Sequence, residues 1–162
     1  MEKQTVGRRL AIFMVLAWMA VMFQFSTQLW NSTHTKAILE RVLSAPFVPD
    51  VVASLDALNF GVRKAAHFTE YAVLAGVAYG AAALGFQRPR TRSLQIALTC
   101  AILFAISDEW HQRFVPGRTS TPQDVGIDIL GACVVVIAIA LWQWRRPASK
   151  NSTAEDYHLN DR

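Results

Sequence analysis

Apolar residues along this chain gather into four long blocks, and the polar residues collect at the joints between them. The first block extends from Leu10 to Trp30, and no charge falls between Leu10 and Thr33. At ~1.5 Å per residue it reaches about 31 Å, enough to cross a hydrocarbon core of about 30 Å. The second is predicted from Val62 to Phe86: its first turns, RKAAHFTEY, are polar and its remainder is rich in alanine and glycine. Leu94–Gln112 and Pro122–Trp144 read as the third and fourth. Between them Pro116-Gly117 makes a turn. Thr121-Pro122-Gln123-Asp124 then has the form of a helix start, with a threonine N-cap, proline at the first position and an acid three residues after the cap. The pattern predicts an all-α fold: a four-helix transmembrane bundle over residues 1–147, followed by a polar tail, 148–162, expected to be disordered.

A basic start before an apolar run also describes a signal peptide, but this run is long and no A-x-A-like site follows it, so a retained first helix is expected. In the first outer loop, residues 34–63, Ile38, Leu39, Val42 and Leu43 recur at helical spacing. After Pro46 and Pro49, Asp50 is placed to cap a second short helix carrying Val51, Val52, Leu55 and Leu58. These are expected to be short amphipathic helices, resting on the bilayer surface or packed over the bundle. Ala72, Gly76 and Gly80 form a small-xxx-small stripe that predicts close helix approach.

Composition agrees with a membrane protein: hydrophobic residues make up 52% of the chain and charged ones only 17%. The net charge of +4 is not a nucleic-acid signal, because the basic residues sit in short runs beside apolar blocks. Cys100 and Cys133 lie inside such blocks without metal-type spacing and read as packing residues. Ten of the sixteen lysines and arginines fall in the N-terminal tail, the 87–92 loop and the C-terminal tail. The positive-inside tendency then predicts a multi-pass protein of the cell (inner) membrane with both termini cytoplasmic.

That topology brings three polar patches to the outer side. Lys64, His67, Glu70 and Tyr71 open the second helix, Asp108, Glu109 and His111 close the third, and Asp124 and Asp128 begin the fourth. The uncharged runs Tyr71–Gln87, Ser93–Ser107 and Ile129–Trp144 are only about 22–26 Å long at ~1.5 Å per residue. The outer carboxylates and histidines should therefore lie at or just below the hydrocarbon boundary and face one another. At ~100° per residue, Lys64, His67 and Tyr71 share a face, as do Asp108, His111 and Gln112, and Asp124, Asp128 and Gly131. Glu109 points about 100° away from Asp108.

Residues 64–71 read K-A-A-H-F-T-E-Y, followed by an apolar helix, and residues 107–131 read S-D-E-W-H-Q-R-F-V-P-G-R-T-S-T-P-Q-D-V-G-I-D-I-L-G. Together these resemble the VanZ-like family of small bacterial integral membrane proteins. Its signature is similar to K-x-x-H-x-x-x-Y, then S-D-E-x-H-Q-x-F-x-P-G-R, then an acid and a helix with glycine. The likeness covers roughly residues 60–144. It implies that Lys64, His67, Tyr71, Asp108, Glu109, His111, Gln112, Phe114, Gly117, Arg118, Asp124 and Gly131 are family positions. Asp128 stands where the pattern often has asparagine, which adds a carboxylate near the site. The family's namesake lowers susceptibility to the glycopeptide teicoplanin, so the resemblance implies an envelope role without supplying a reaction.

Three function classes fit these residues. In the first, a lipid-linked or envelope phosphate is held by Lys64, Arg113 and Arg118, with Tyr71, Gln112, Asp124 and Asp128 lining the site. His67 or His111 would transfer a proton and Asp108 would orient the histidine, with Glu109 as a further acid of the site. In the second, the cluster serves a proton-coupled carrier or flippase, which with four helices would need a homo-oligomer. In the third, the protein is a non-catalytic scaffold among membrane lipids and the cluster is a polar lock that fixes helix order. Asp124 could equally be a capping acid, Lys64 could snorkel to headgroups, and Arg118 could simply pair with Asp124 or Glu109. No Ser-His-Asp order, HExxH or glycine-rich phosphate loop is present. His67, His111, Asp108 and Glu109 lack a recognised metal spacing, so neither metal nor cofactor is expected.

Overall fold

A computed structural model of the chain describes residues 2–27, 37–39, 41, 55–116 and 120–145. It is all-α, with four long helices: α1 (Glu2–Ser26), α2 (Leu55–Gly80), α3 (Arg90–Gln112) and α4 (Pro122–Trp144). All four are long and apolar enough to cross a membrane. A π-helical turn, Ala81–Gly85, prolongs α2.

The boundaries shift where no breaker enforces them. Helix α1 starts at Glu2, not near Leu10, because Glu2, Lys3, Gln4, Arg8 and Arg9 are good helix formers that extend the apolar run. Helix α2 starts seven residues before the expected Val62, so Leu55 and Leu58 belong to it and not to a separate short helix. Gly61 is the weakest former in that added stretch, and a lone glycine costs a helix only about 1 kcal/mol. In the first loop, residues 37–39 and 41 are helical. The rest of the expected amphipathic helices, the polar tail 148–162, and Gly117 and Arg118 lie outside the described residues.

The interior is built from small side chains around a few large ones: Tyr71, Leu74 and Met22 are buried among Ala75, Ala101, Ala105 and Ala132. Large apolar residues point outward instead, among them Phe13, Leu16, Leu103, Ile106, Leu130 and Ile137. Lipid tails are as apolar as leucine, so nothing drives such residues inward, and close approach of small residues holds the helices together.

Helices α2 and α4 form the most extensive interface. Both run from the site end of the bundle toward the other, so they are parallel, and α3 runs back alongside them. Their contacts keep a nearly constant register. Lys64 meets Asp124, His67 meets Asp128, Phe68 meets Gly131, Gly76 meets Val135 and Tyr79 meets Gln143. The tightest point is Gly131, where a Cβ would collide with the Phe68 carbonyl oxygen. The expected small-residue stripe is looser than this: a Cβ on Gly76 would rest 3.8 Å from Val135, and one on Gly80 would meet nothing within 4 Å.

Helix α1 is pinned from both ends. Gln4 Nε2 donates to Gln87 Oε1 at 3.0 Å, and a Cβ on Gly85 would strike Ala11. Nearer the other end, Trp18 Nε1 donates to the Glu70 carbonyl at 3.1 Å. Leaving the π turn, Phe86 N–H bonds back to Ala81 O, Gln87 takes a left-handed φ of 52°, and Arg88 N–H returns to Ala82 O at 2.9 Å. These bonds satisfy the last carbonyls of the helix where a cap is required.

This packing generates a matched pair of expectations. Gly131→Ala should destabilise the detergent-solubilised protein by about 1–3 kcal/mol, the usual cost of overpacking. Gly80→Ala should stay within about 0.5 kcal/mol of wild type. Denaturant titrations followed by circular dichroism measure both, and equal effects would show that the α2–α4 approach is not the tight point.

Candidate functional site

The polar residues of α2, α3 and α4 converge where α2 and α4 begin and α3 ends. Two ion pairs connect α2 to α4. Lys64 Nζ contacts Asp124 Oδ1, with the two side chains 23% and 10% exposed. One turn deeper, His67 Nδ1 lies 3.2 Å from Asp128 Oδ1, and Asp128 is almost completely enclosed. Spacings of three residues on α2 and four on α4 both keep a side chain on the same face, so parallel helices in register place the second pair beneath the first.

Helix α3 adds Asp108 and Glu109, both buried. Gln112 Nε2 donates to Asp108 Oδ2 at 2.9 Å, a bond within one turn of the helix. Glu109 turns toward the α3–α4 connection, where its Oε1 accepts the Thr121 backbone N–H at 2.5 Å. Ser120 Oγ donates to the Glu109 carbonyl at 3.0 Å and accepts from Arg113 Nε at 3.4 Å. Glu109 thus fastens the start of α4 to the end of α3. Thr121 is extended, as an N-cap should be, but makes no side-chain cap. Glu109 instead takes the Thr121 N–H, the bond that an acid at Asp124 would make in a capping box, which leaves Asp124 to engage Lys64.

Beneath the His67–Asp128 pair, Tyr71 is fully buried with its hydroxyl unpartnered. Its ring packs against Phe104, centroids 6.2 Å apart. Asp108, Asp128, Glu70 and Glu109 all lie within electrostatic range of the hydroxyl. Asp108 Oδ1, Asp128 Oδ2 and Glu109 Oε2 are likewise buried without a hydrogen-bond partner. His111 turns toward α1, its ring 4.7 Å from that of Phe23. The acid that meets His67 is therefore Asp128, while Asp108 lies farther off but within electrostatic range. Arg118 falls outside the described residues. Among the described residues, no group of three or more His, Cys, Asp or Glu is arranged to hold a metal ion.

Two contributors escaped the sequence reading. Arg63 lies within electrostatic range of Lys64 and adds a second cation at the rim. Its signal was adjacency alone, since residues next to each other on a helix point about 100° apart and a shared location is not apparent from spacing. Asn59, on the turn before Arg63, is buried although polar. It sits in a stretch that reads as loop until α2 is known to begin at Leu55.

The two ion pairs should differ in energetic weight. His67→Ala strips a buried carboxylate of its partner and should cost about 3 kcal/mol. Lys64→Met should cost about 1 kcal/mol, because Lys64 still reaches solvent and screening weakens its pair. The double change His67→Leu with Asp128→Leu should recover most of the His67→Ala loss, since an apolar replacement leaves no orphaned charge. Unfolding titrations of the four proteins in one detergent supply the comparison.

A family model, VanZ/LLP1, matches residues 11–143, which takes in α2 and α3, most of α1 and α4, and every described site residue. No curated protein and no solved structure matches the chain. With four helices apolar and long enough to span a bilayer, this is a multi-pass membrane protein, and it belongs to the VanZ/LLP1 family.

Proposed function

We propose that the charged end of the bundle is a headgroup-level site for a phosphate-bearing, lipid-linked component of the cell envelope, and that through it the protein affects susceptibility to glycopeptide-type antibiotics. The observation that carries this reading is the pairing of Arg63 and Lys64 at the rim, with the Lys64 side chain still partly exposed where it contacts Asp124 and lies over the Phe60 ring. A phosphate entering there exchanges one anionic partner of Lys64 for another and gains the guanidinium beside it. Arg118, by its family position, supplies a further cation. His67, oriented by Asp128, is the group placed to give or take a proton from the bound headgroup. Tyr71, Asp108, Gln112 and Glu109 support these residues from below and beside, and His111 acts from the α1 side.

The proposed setting is the inner membrane, with both termini cytoplasmic and the site facing outward, in keeping with the basic residues at the opposite ends of the helices. Partners in this reading are membrane lipids and a lipid-linked precursor. A homo-oligomer is required only if the same cluster drives transport. The carrier reading draws its support from the buried His67–Asp128 pair, a kind of group typical of proton relays.

Reconstituted protein should bind vesicles doped with a polyprenyl phosphate more tightly than vesicles of phosphatidylcholine alone. Arg63→Ala and Lys64→Ala should each weaken that preference about tenfold, the effect of losing about 1.4 kcal/mol. Equal retention of wild type and both variants on the two vesicle types would refute the phosphate reading and leave the scaffold role. In cells, the same two variants should alter glycopeptide susceptibility while membrane abundance holds.

A further inference from the structure

At the end of the bundle opposite the polar site, α1 leans on the π turn and meets α3 at few positions. A Cβ on Gly85 would strike Ala11, so α1 and the π turn are in close contact there. Beside that contact a groove of about 330 Å³ opens between α1, the end of α2 and α3. Its floor is built from Ala78, Ala81 and Ala82, whose small side chains leave the space that larger ones would fill. Ile12 and Leu16 from α1 and Ile96 from α3 stand along its edges and are themselves exposed, so the groove opens sideways toward lipid. The π turn that shapes it is a departure from regular helix of a kind that frequently accompanies functional sites.

One charged side chain belongs to this otherwise apolar lining, that of Arg88. Its backbone is held on both sides: the N–H bonds to Ala82 O at 2.9 Å, and the carbonyl accepts from Ser93 Oγ at 3.2 Å. Its guanidinium makes no ion pair or hydrogen bond with any described residue. Lys3, Arg8, Arg9, Arg90, Arg92 and Arg145 lie at the same end of the helices, where Glu2 is the one acid among the described residues. An apolar channel that ends at an unengaged cation on a basic surface is complementary to a molecule with an apolar chain and an anionic head.

The dimensions agree. From Phe86 to Ala78 the lining extends about 12 Å at ~1.5 Å per residue. One leaflet contributes about 15 Å of a hydrocarbon core of about 30 Å. The groove thus has nearly the depth of one leaflet, with Arg88 at the level of the headgroups. We propose that it holds one acyl chain of an anionic phospholipid of that leaflet, with the lipid phosphate engaged by Arg88. A zwitterionic lipid offers the same chain but brings its own cation toward Arg88, Arg90 and Arg92, so headgroup charge sets the preference. The site lies at the far end of the bundle from Arg63 and Lys64 and is independent of the phosphate reading made there.

Native mass spectrometry of the detergent-solubilised protein, titrated separately with phosphatidylglycerol and phosphatidylcholine of equal chain length, tests this. The first phosphatidylglycerol should be held about fivefold more tightly than the first phosphatidylcholine, the weight of one basic residue near an anionic headgroup. Arg88→Gln should remove that preference, whereas Arg90→Gln and Arg92→Gln should each keep it. Ile96→Trp, which narrows the groove from an exposed position, should weaken retention of both lipids with helix content by circular dichroism unchanged. Equal retention of the two lipids by wild type would overturn the proposal. So would a preference that survives Arg88→Gln, one that Arg90→Gln or Arg92→Gln removes as fully, or retention of both lipids unaffected by Ile96→Trp.

Discussion

Water is the partner of last resort for any polar group, and below the headgroups it is missing. Everything distinctive in this bundle follows from that. Lys64 and His67 sit on the first turns that approach hydrocarbon, and each is met by an aspartate from α4. The meeting requires α2 and α4 to be parallel and in fixed register, and the register is held by Gly131, whose missing side chain lets the backbone reach the Phe68 carbonyl. A single hydrogen atom in place of a methyl group thus sets which acid each cation finds. At the opposite end the Tyr79–Gln143 contact keeps the same alignment.

The polar end is also graded with depth. At the rim the groups are cationic, partly exposed and exchangeable, as Arg63 and Lys64 illustrate. One turn lower lies a histidine paired with an enclosed carboxylate. Lower still, Tyr71 is cut off from solvent altogether. Beside the gradient, Glu109 holds the α3–α4 connection shut by taking the Thr121 amide, so α4 presents its aspartates at a constant height.

Much of this was legible in the residues. Four spans, the all-α class and the end of the bundle where polar groups meet follow from hydropathy and from the cost of burying charge. The limits of α4 followed from Pro122 and the basic stop at Arg145. What was not legible depended on distances between helices. Spacing places Asp108 and His111 on one side of α3, but it does not say that Gln112 takes Asp108 while His111 turns to Phe23. It shows glycines at positions 76, 80 and 131 without showing that only the last lies under a backbone. Asp124 reads as a cap from its local sequence, and a carboxylate twelve residues upstream of Thr121 displaced that role.

The partners in the two ion pairs are separated by about sixty residues of chain, with α3 synthesised between them. At about 5–20 residues per second, α4 emerges some 3–12 s after α2. For that interval α2 carries a lysine and a histidine at its leading end without the α4 aspartates that pair with them. The nascent helix must wait near the interface or inside the insertion machinery until α4 arrives. Assembly of the polar end is therefore completed by α4, and a chain halted before Asp124 would be three spans with the charges of α2 still looking for company.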